Sequence, residues 1–247
     1  MSLPGQIENA IPSVPGFDCT TVLSASVAQQ FYQQGYKFCL RYLSRGPEAS
    51  GDLTEAEATG ILNAGLALMP VQHAHPARWV PTQLLGQQDG QDAAANAHTI
   101  GFPDGVNVWC DLEGVNSSST HQDVIDYCTA WYNAVAAAGY TPGLYVGAGQ
   151  LLTGAELYSL PFQHYWRSPS LVPDVQIRSY QVFQLSPSVK VNGIPVDLDV
   201  TKNDKKEGTA QWLRANGTLN PIRSAPNLRQ RVRTGRKTTS SSDLKAS

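Results

Sequence analysis

The sequence predicts a single α/β domain folded as a (β/α)8-type TIM barrel, with irregular or missing helices in the second half. Three observations carry that prediction. Short apolar runs alternate with helical patterns, which implies parallel strands joined by crossover helices. Eight such runs fall between residues 15 and 200, the number that closes a barrel. The length of 247 residues is that of one barrel domain. An open doubly wound sheet is the alternative, but no G-x-G-x-x-G or G-x-x-x-x-G-K-[ST] motif accompanies it.

The elements follow in order. "PGFDCT" (15–20) is the first strand. "SASVAQQFYQQG" (24–35) reads as a helix stopped by Gly35, and "YKFCLRYLS" (36–44) is the second strand. "DLTEAEATGILNAG" (52–65) is a helix with acids in its first turn, where the helix dipole favours them, and Gly65 at its end. "LALMPVQHAH" (66–75) is the third strand, and "GQQDGQDAAANAHTIG" (86–101) an Ala-rich helix. "VNVWCDLE" (106–113) is the fourth strand. In "THQDVIDYCTAWYNAVAAAG" (120–139), Thr120 is an N-cap, and Val124, Cys128, Trp131 and Val135 form an apolar stripe at helical spacing. "PGLYVGAG" (142–149), "HYWRSP" (164–169), "SYQVFQLS" (179–186) and "IPVDLDV" (194–200) complete the eight. The later connections are shorter and less regular. "GLYVGAGQLLTG" is Gly-rich after a strand but lacks the P-loop lysine, which disfavours a phosphate site.

Composition is 41% hydrophobic and 15% charged, with a formal net charge of −2, so no overall field attracts nucleic acid. The charge is uneven. Residues 1–220 carry eleven Lys/Arg against nineteen Asp/Glu, whereas residues 221–247 carry seven against one. The chain therefore divides into an N-terminal extension (1–13), a barrel (14–220) and a basic, Ser/Thr-rich tail (221–247) that reads as disordered. A solvated tail is the simplest account, and contact with an anionic surface or a delivery machine is the alternative. No secretion signal and no membrane span is visible, so the expectation is a soluble chain whose export would need a dedicated or non-classical route. Cys19, Cys39, Cys110 and Cys128 lack metal-ligand spacing and are expected as buried thiols. His73 and His75 have no obvious third ligand and read as rim residues. No metal or cofactor is expected.

Polar groups recur at the strand ends, where barrel enzymes build their sites. They are Asp18, Arg41, Gln72, Asp111 with Glu113, Tyr145, Trp166, Gln184, and Asp197 with Asp199. In "VNVWCDLEG", Asp111 and Glu113 lie two residues apart and so share one strand face, about 6.6 Å apart. Two close, buried carboxylates raise each other's proton affinity. One then serves as a protonated acid and the other as a charged partner, the pair that glycosidic cleavage needs. Trp109, Trp166 and Tyr145 offer flat surfaces for sugar rings.

At these residues the sequence resembles the family-25 glycoside hydrolases, lysozymes of barrel type. It is more similar still to the glycoside-hydrolase-like domains of bacterial secreted and cell-wall-associated proteins. "GFDCT", "WCDLEG", "YVGAG", "HYWRS", "YQVFQLS" and "VDLDV" carry the resemblance, in the family's order, over residues 14 to about 201. It implies cleavage of peptidoglycan between N-acetylmuramic acid and N-acetylglucosamine. Glu113 matches the general acid and Asp111 its partner, and Asp18 and Asp197 match the acids that shape the site. Arg41, Gln72, Tyr145, Trp166, Gln184 and Asp199 are the expected substrate contacts, with Asp199 where the lysozymes usually have an amide. Arg41 also departs from the lysozyme pattern. Paired with Glu113 it would lower that residue's pKa. A catalytically weak barrel that binds cell-wall glycan is the competing reading.

Overall fold

The computed structural model describes residues 2–47, 49–185 and 188–216; the basic tail expected over 221–247 lies outside them. Strands and helices are numbered in chain order. Seven strands run in parallel, each paired with the next: β2 (Pro15–Cys19), β3 (Phe38–Leu43), β4 (Ala67–Gln72), β5 (Asn107–Leu112), β6 (Thr141–Val146), β7 (His164–Arg167) and β8 (Val182–Gln184). The eighth, β10 (Ile194–Thr201), closes the ring by pairing antiparallel with both β8 and β2.

The barrel is closed, but the all-parallel (β/α)8 arrangement expected from the alternation does not form. A parallel crossover needs a dozen or more residues, and residues 185–193 are too few. They hold instead the short strand β9 (Val189–Val191), joined to β10 by a two-residue turn in which Val191 pairs with Ile194. Asn192 and Gly193 both have positive φ, 49° and 86°, the backbone a tight hairpin requires and the reason for the Asn-Gly pair.

Helices cover the first half. They are α1 (Ala25–Gln33), α2 (Glu55–Asn63), α3 (Gln83–Ile100), α4 (His121–Ala137) and the short α5 (Gly154–Ser159), and none is described between β7 and β8. Each opens on a Ser or Thr cap whose hydroxyl accepts a backbone N–H of the first turn: Ser24, Thr54, Thr82, Thr120 and Thr153. The α4 stripe of Val124, Cys128, Trp131 and Val135 is wholly buried, as its spacing predicts. All four cysteines are free and buried.

Two apolar cores result. One lies between the sheet and the helices. The other fills the barrel and includes Phe38, Leu40, Met69, Trp109, Trp166 and Trp212. Trp109 fits because β6 carries Gly143 beside it, where a Cβ would sit 2.4 Å from the indole. The floor is closed by β11 (Gln211–Arg214), which pairs with β4 and with β1 (Gln6–Asn9). The segment read as an N-terminal extension thus contributes a strand to the sheet. No described helix is long and apolar enough to cross a membrane.

Candidate active site

Strand alternation decides which polar groups reach the mouth. On β5, Trp109 faces the barrel interior, so Asp111 does too, with Glu113 just past the strand end. On β10, Asp197 and Asp199 share the inward face. Asp197 lies directly across from Asp18, and Asp199 across from both Gly16 and Gln184. Five carboxyls from three strands thus converge on one end of the barrel.

Gln184 ties two of them together. Its Nε2 donates to Asp18 Oδ2 at 2.8 Å and to Asp197 Oδ2 at 3.1 Å, while its Oε1 accepts from the Tyr145 hydroxyl at 2.8 Å. The Tyr42 hydroxyl donates to Asp18 Oδ1 at 3.3 Å, and Trp166 Nε1 donates to Asp199 Oδ1 at 2.9 Å. Tyr42 was not singled out in the sequence; its place two residues after Leu40, on the inward face of β3, was the available signal.

No Lys, Arg or His pairs with any of the five carboxyls among the described residues. Burial without a counter-charge favours the neutral acid. Burial, then repulsion from Asp197, pushes Asp18 up to about 7. Burial first, then Glu113 and Asp18, raise Asp111 well above the usual range, against one backbone N–H donated by Ala74. Glu113 is raised by burial and by Asp197. Asp197 is raised by burial, and Asp199 strongly so, by burial and then by Asp18.

Glu113 is half-buried and held from two sides. Its carbonyl accepts from Trp79 Nε1 at 2.8 Å, and the neighbouring Gly114 carbonyl accepts from Arg78 N at 2.6 Å. Across the other edge, Gly147 N donates to Leu112 O and Gly114 N to Ala148 O. The side chain lies over Gly147, where a Cβ would approach within 2.4 Å of Glu113 Cβ and 2.7 Å of its Oε2.

Two groups expected at the mouth, Arg41 and Gln72, point outward instead, and two more, Asp199 and Trp166, are buried beneath it. Arg41 alternates outward and is fully buried under α2, where its Nε donates to Glu57 Oε1 at 2.7 Å and its Nη1 to the Cys19 carbonyl. It pairs with neither Asp18 nor Glu113. Gln72 also points outward, donating to the Asp89 carbonyl and accepting from Trp131 Nε1. Asp199, 1% exposed, lies behind Asp18 and out of substrate reach. Trp109 and Trp166 are buried packing rather than exposed platforms, and Tyr145 is 8% exposed.

His73 and His75 sit on the rim, each on a carboxylate. His73 Nε2 lies 2.7 Å from Asp52 Oδ1, and His75 Nε2 is bonded to Asp89, which also accepts from the Tyr127 hydroxyl. Tyr42 stacks on His73 and Trp79 on His75, both at 4.6 Å. Asp52 and Asp89 gave no signal in the sequence, since nothing in their spacing marks them as partners of the histidines.

Residues 29–201 match the family described as Rv2525c-like, glycoside hydrolase-like domain. The chain belongs to that family. The matched span takes in every barrel strand of this glycoside hydrolase-like domain except β2, which brings Asp18. Among solved structures, the domain is similar to the Mycobacterium tuberculosis Tat-secreted protein Rv2525c in complex with L-tartrate, at 15% identity and TM-score 0.57 over 78% of this chain and 96% of that one. It is similar also to an uncharacterized B. stearothermophilus protein, at 22% and 0.56 over 76% and 95%. A bacterial lysozyme from Streptomyces coelicolor aligns at 15% and 0.54 over 78% and 93%. At these identities the likeness shows the shared barrel fold. No curated protein matches the chain.

Proposed function

We propose that this glycoside hydrolase-like domain is a peptidoglycan-directed glycosidase of the muramidase type. The observation that carries the reading is a mouth with no cation paired to its acids among the described residues: Glu113 and Asp111 share it with Asp197 and Asp18, and Arg41 is turned away onto Glu57. Without a counter-charge, Glu113 keeps its proton closer to neutral pH, as a general acid must. Glu113, on the open side, gives that proton to the leaving glycosidic oxygen. Asp111, deeper, orients water or the substrate's acetamido group toward the anomeric carbon. Asp197 sustains the proton on Glu113 by its charge, and Asp18 anchors the array through Gln184. Tyr145 and Gln184 line the approach. The lysozyme among the similar structures supports this substrate class, and the Tat-secreted relative supports export of the domain to the wall.

A second reading, a glycan-binding module without turnover, is favoured by one observation. Asp111 has an enclosed Oδ1 without a partner among the described residues, and burial raises its pKa well above the usual carboxylate range. A pair that keeps its proton on the inner member holds a glycan without cutting it.

Incubation with purified peptidoglycan separates the two. Mass spectrometry should find new N-acetylmuramic acid reducing ends with the wild type and none with Glu113→Gln. Cosedimentation with the wall but no fragments from either protein would establish the binding module.

A further inference from the structure

Asp18 and Asp199 are two buried acids on the inward face of the paired strands β2 and β10, where Asp199 stands opposite Gly16 and next along from the Asp18–Asp197 pair, and their hydrogen-bond partners differ. Asp18 receives two donors, Gln184 Nε2 on Oδ2 and the Tyr42 hydroxyl on Oδ1. Asp199 receives one, Trp166 Nε1 on Oδ1. Its Oδ2 is buried with no donor to satisfy it. A charged carboxylate wants donors on both oxygens, and a buried oxygen left bare is costly. Two anions side by side inside a barrel add repulsion that water does not screen. One proton placed on Asp199 Oδ2 removes both penalties, because it turns the bare oxygen into a donor and leaves one anion in place of two.

We propose that Asp199 is a neutral, proton-donating positioning residue: Trp166 fixes its carbonyl oxygen, and its hydroxyl gives Asp18 a third hydrogen bond that holds that carboxylate in register with Gln184. In this role a carboxylic acid does what a primary amide would do, offering one acceptor to Trp166 and one donor to Asp18. The titratable groups facing the pair are Asp197, Asp111, Glu113, Tyr42 and Tyr145, and each adds negative charge if it ionises. None supplies a cation that would draw the proton off Asp199. The assignment of the proton stands on the hydrogen bonds alone; its consequence for turnover rests on the muramidase reading.

The test is infrared difference spectroscopy of the whole protein at neutral pH, with Asp199→Asn and Asp18→Asn compared against wild type and melting curves confirming folding. Glu113→Gln identifies the carbonyl stretch of the general acid; among the remaining neutral-acid stretches, one should disappear in Asp199→Asn and persist, shifted, in Asp18→Asn. Loss of that stretch in Asp18→Asn and not in Asp199→Asn places the proton on Asp18 and overturns the proposal; a spectrum of Asp199→Asn that loses no neutral-acid stretch overturns it too. Turnover supplies the second arm. Asp199→Leu, which has no donor, should fall by at least about a hundredfold, the scale of losing one charge-stabilising donor. Asp199→Asn should recover most of that loss and shift the alkaline limb of the pH profile to higher pH. Equal losses in Asn and Leu would contradict the donor role. Absence of turnover in every protein, wild type included, would sink the glycosidase reading and leave the infrared result to decide the proton.

Discussion

Glu113 depends on a residue that has no side chain. Gly147 gives the carboxyl room, because a methyl there would overlap both Glu113 Cβ and Oε2. Gly147→Ala should therefore push Glu113 out of the mouth. Overpacking of this kind costs about 1–3 kcal/mol, and glycan release should drop by about tenfold or more, since small misplacements of reacting groups carry large rate penalties. Wild-type rates from purified Gly147→Ala, measured on the same peptidoglycan, would show that Glu113 does not need that space. The residue scale is also where sequence reasoning divided. Asp18, Asp111, Glu113 and Asp197 were legible because the two-residue period of a strand groups side chains by face. Arg41 and Gln72 were not, because β3 ("FCLRYL") and β4 ("ALMPVQ") are buried on both faces. A strand apolar on both sides gives no parity from which to read inward and outward.

Between β4 and α3, residues 73–79 brace the site as one element. His73 backs the ring of Tyr42, whose hydroxyl reaches Asp18. Ala74 bonds Asp111 through its backbone. Trp79, packed on His75 and Tyr127, holds the Glu113 carbonyl and pairs as a bridge with Val115. One loop thus touches the supports of three acids. Replacing Trp79 by Phe keeps the ring packing and removes the Nε1 donor. The net loss in stability should be about 1 kcal/mol, read as a small drop in denaturant midpoint, while kcat should fall and wall cosedimentation should stay unchanged. An unaltered kcat would mean that the loop does not position Glu113. The antiparallel β10 has a local signal at this scale too: "VNGI" is a strong hairpin signal, though the run of alternating strands and helices before it points to another parallel crossover.

For the molecule as a whole, five acids that pair with no cation among the described residues make stability depend on pH. A carboxyl whose folded-state pKa is raised contributes stability that is complete below its unfolded value and is lost as pH rises through its folded value. For Asp18 that window runs from the ordinary 3.8 to about 7, and Asp111, Glu113, Asp197 and Asp199 shift in the same direction. His164 opposes them. Burial lowers it to about 4, so its contribution is lost as pH falls from its ordinary value toward 4. Asp123, Asp174 and Glu156, whose pKa values are lowered, also oppose them but titrate below pH 5, so the acids of the mouth prevail and the melting temperature should rise as pH is lowered from about 8 to about 5, with a conversion of about 2–4 °C per kcal/mol for a domain of this size. Asp18→Asn should flatten that rise. A melting temperature that climbs with pH across this range would mean that the mouth is ionised and its charges compensated.

The most direct measurement is a site-resolved carbon NMR titration of the Glu113 carboxyl, in the wild type and in Asp197→Asn. A protonated general acid that pairs with no cation among the described residues predicts that Glu113 titrates above its ordinary value of 4.5, and that removing the Asp197 charge brings it down. Titration at or below 4.5, indifferent to Asp197, would leave Glu113 ionised where a wall glycan must be protonated, and would contradict the glycosidase account.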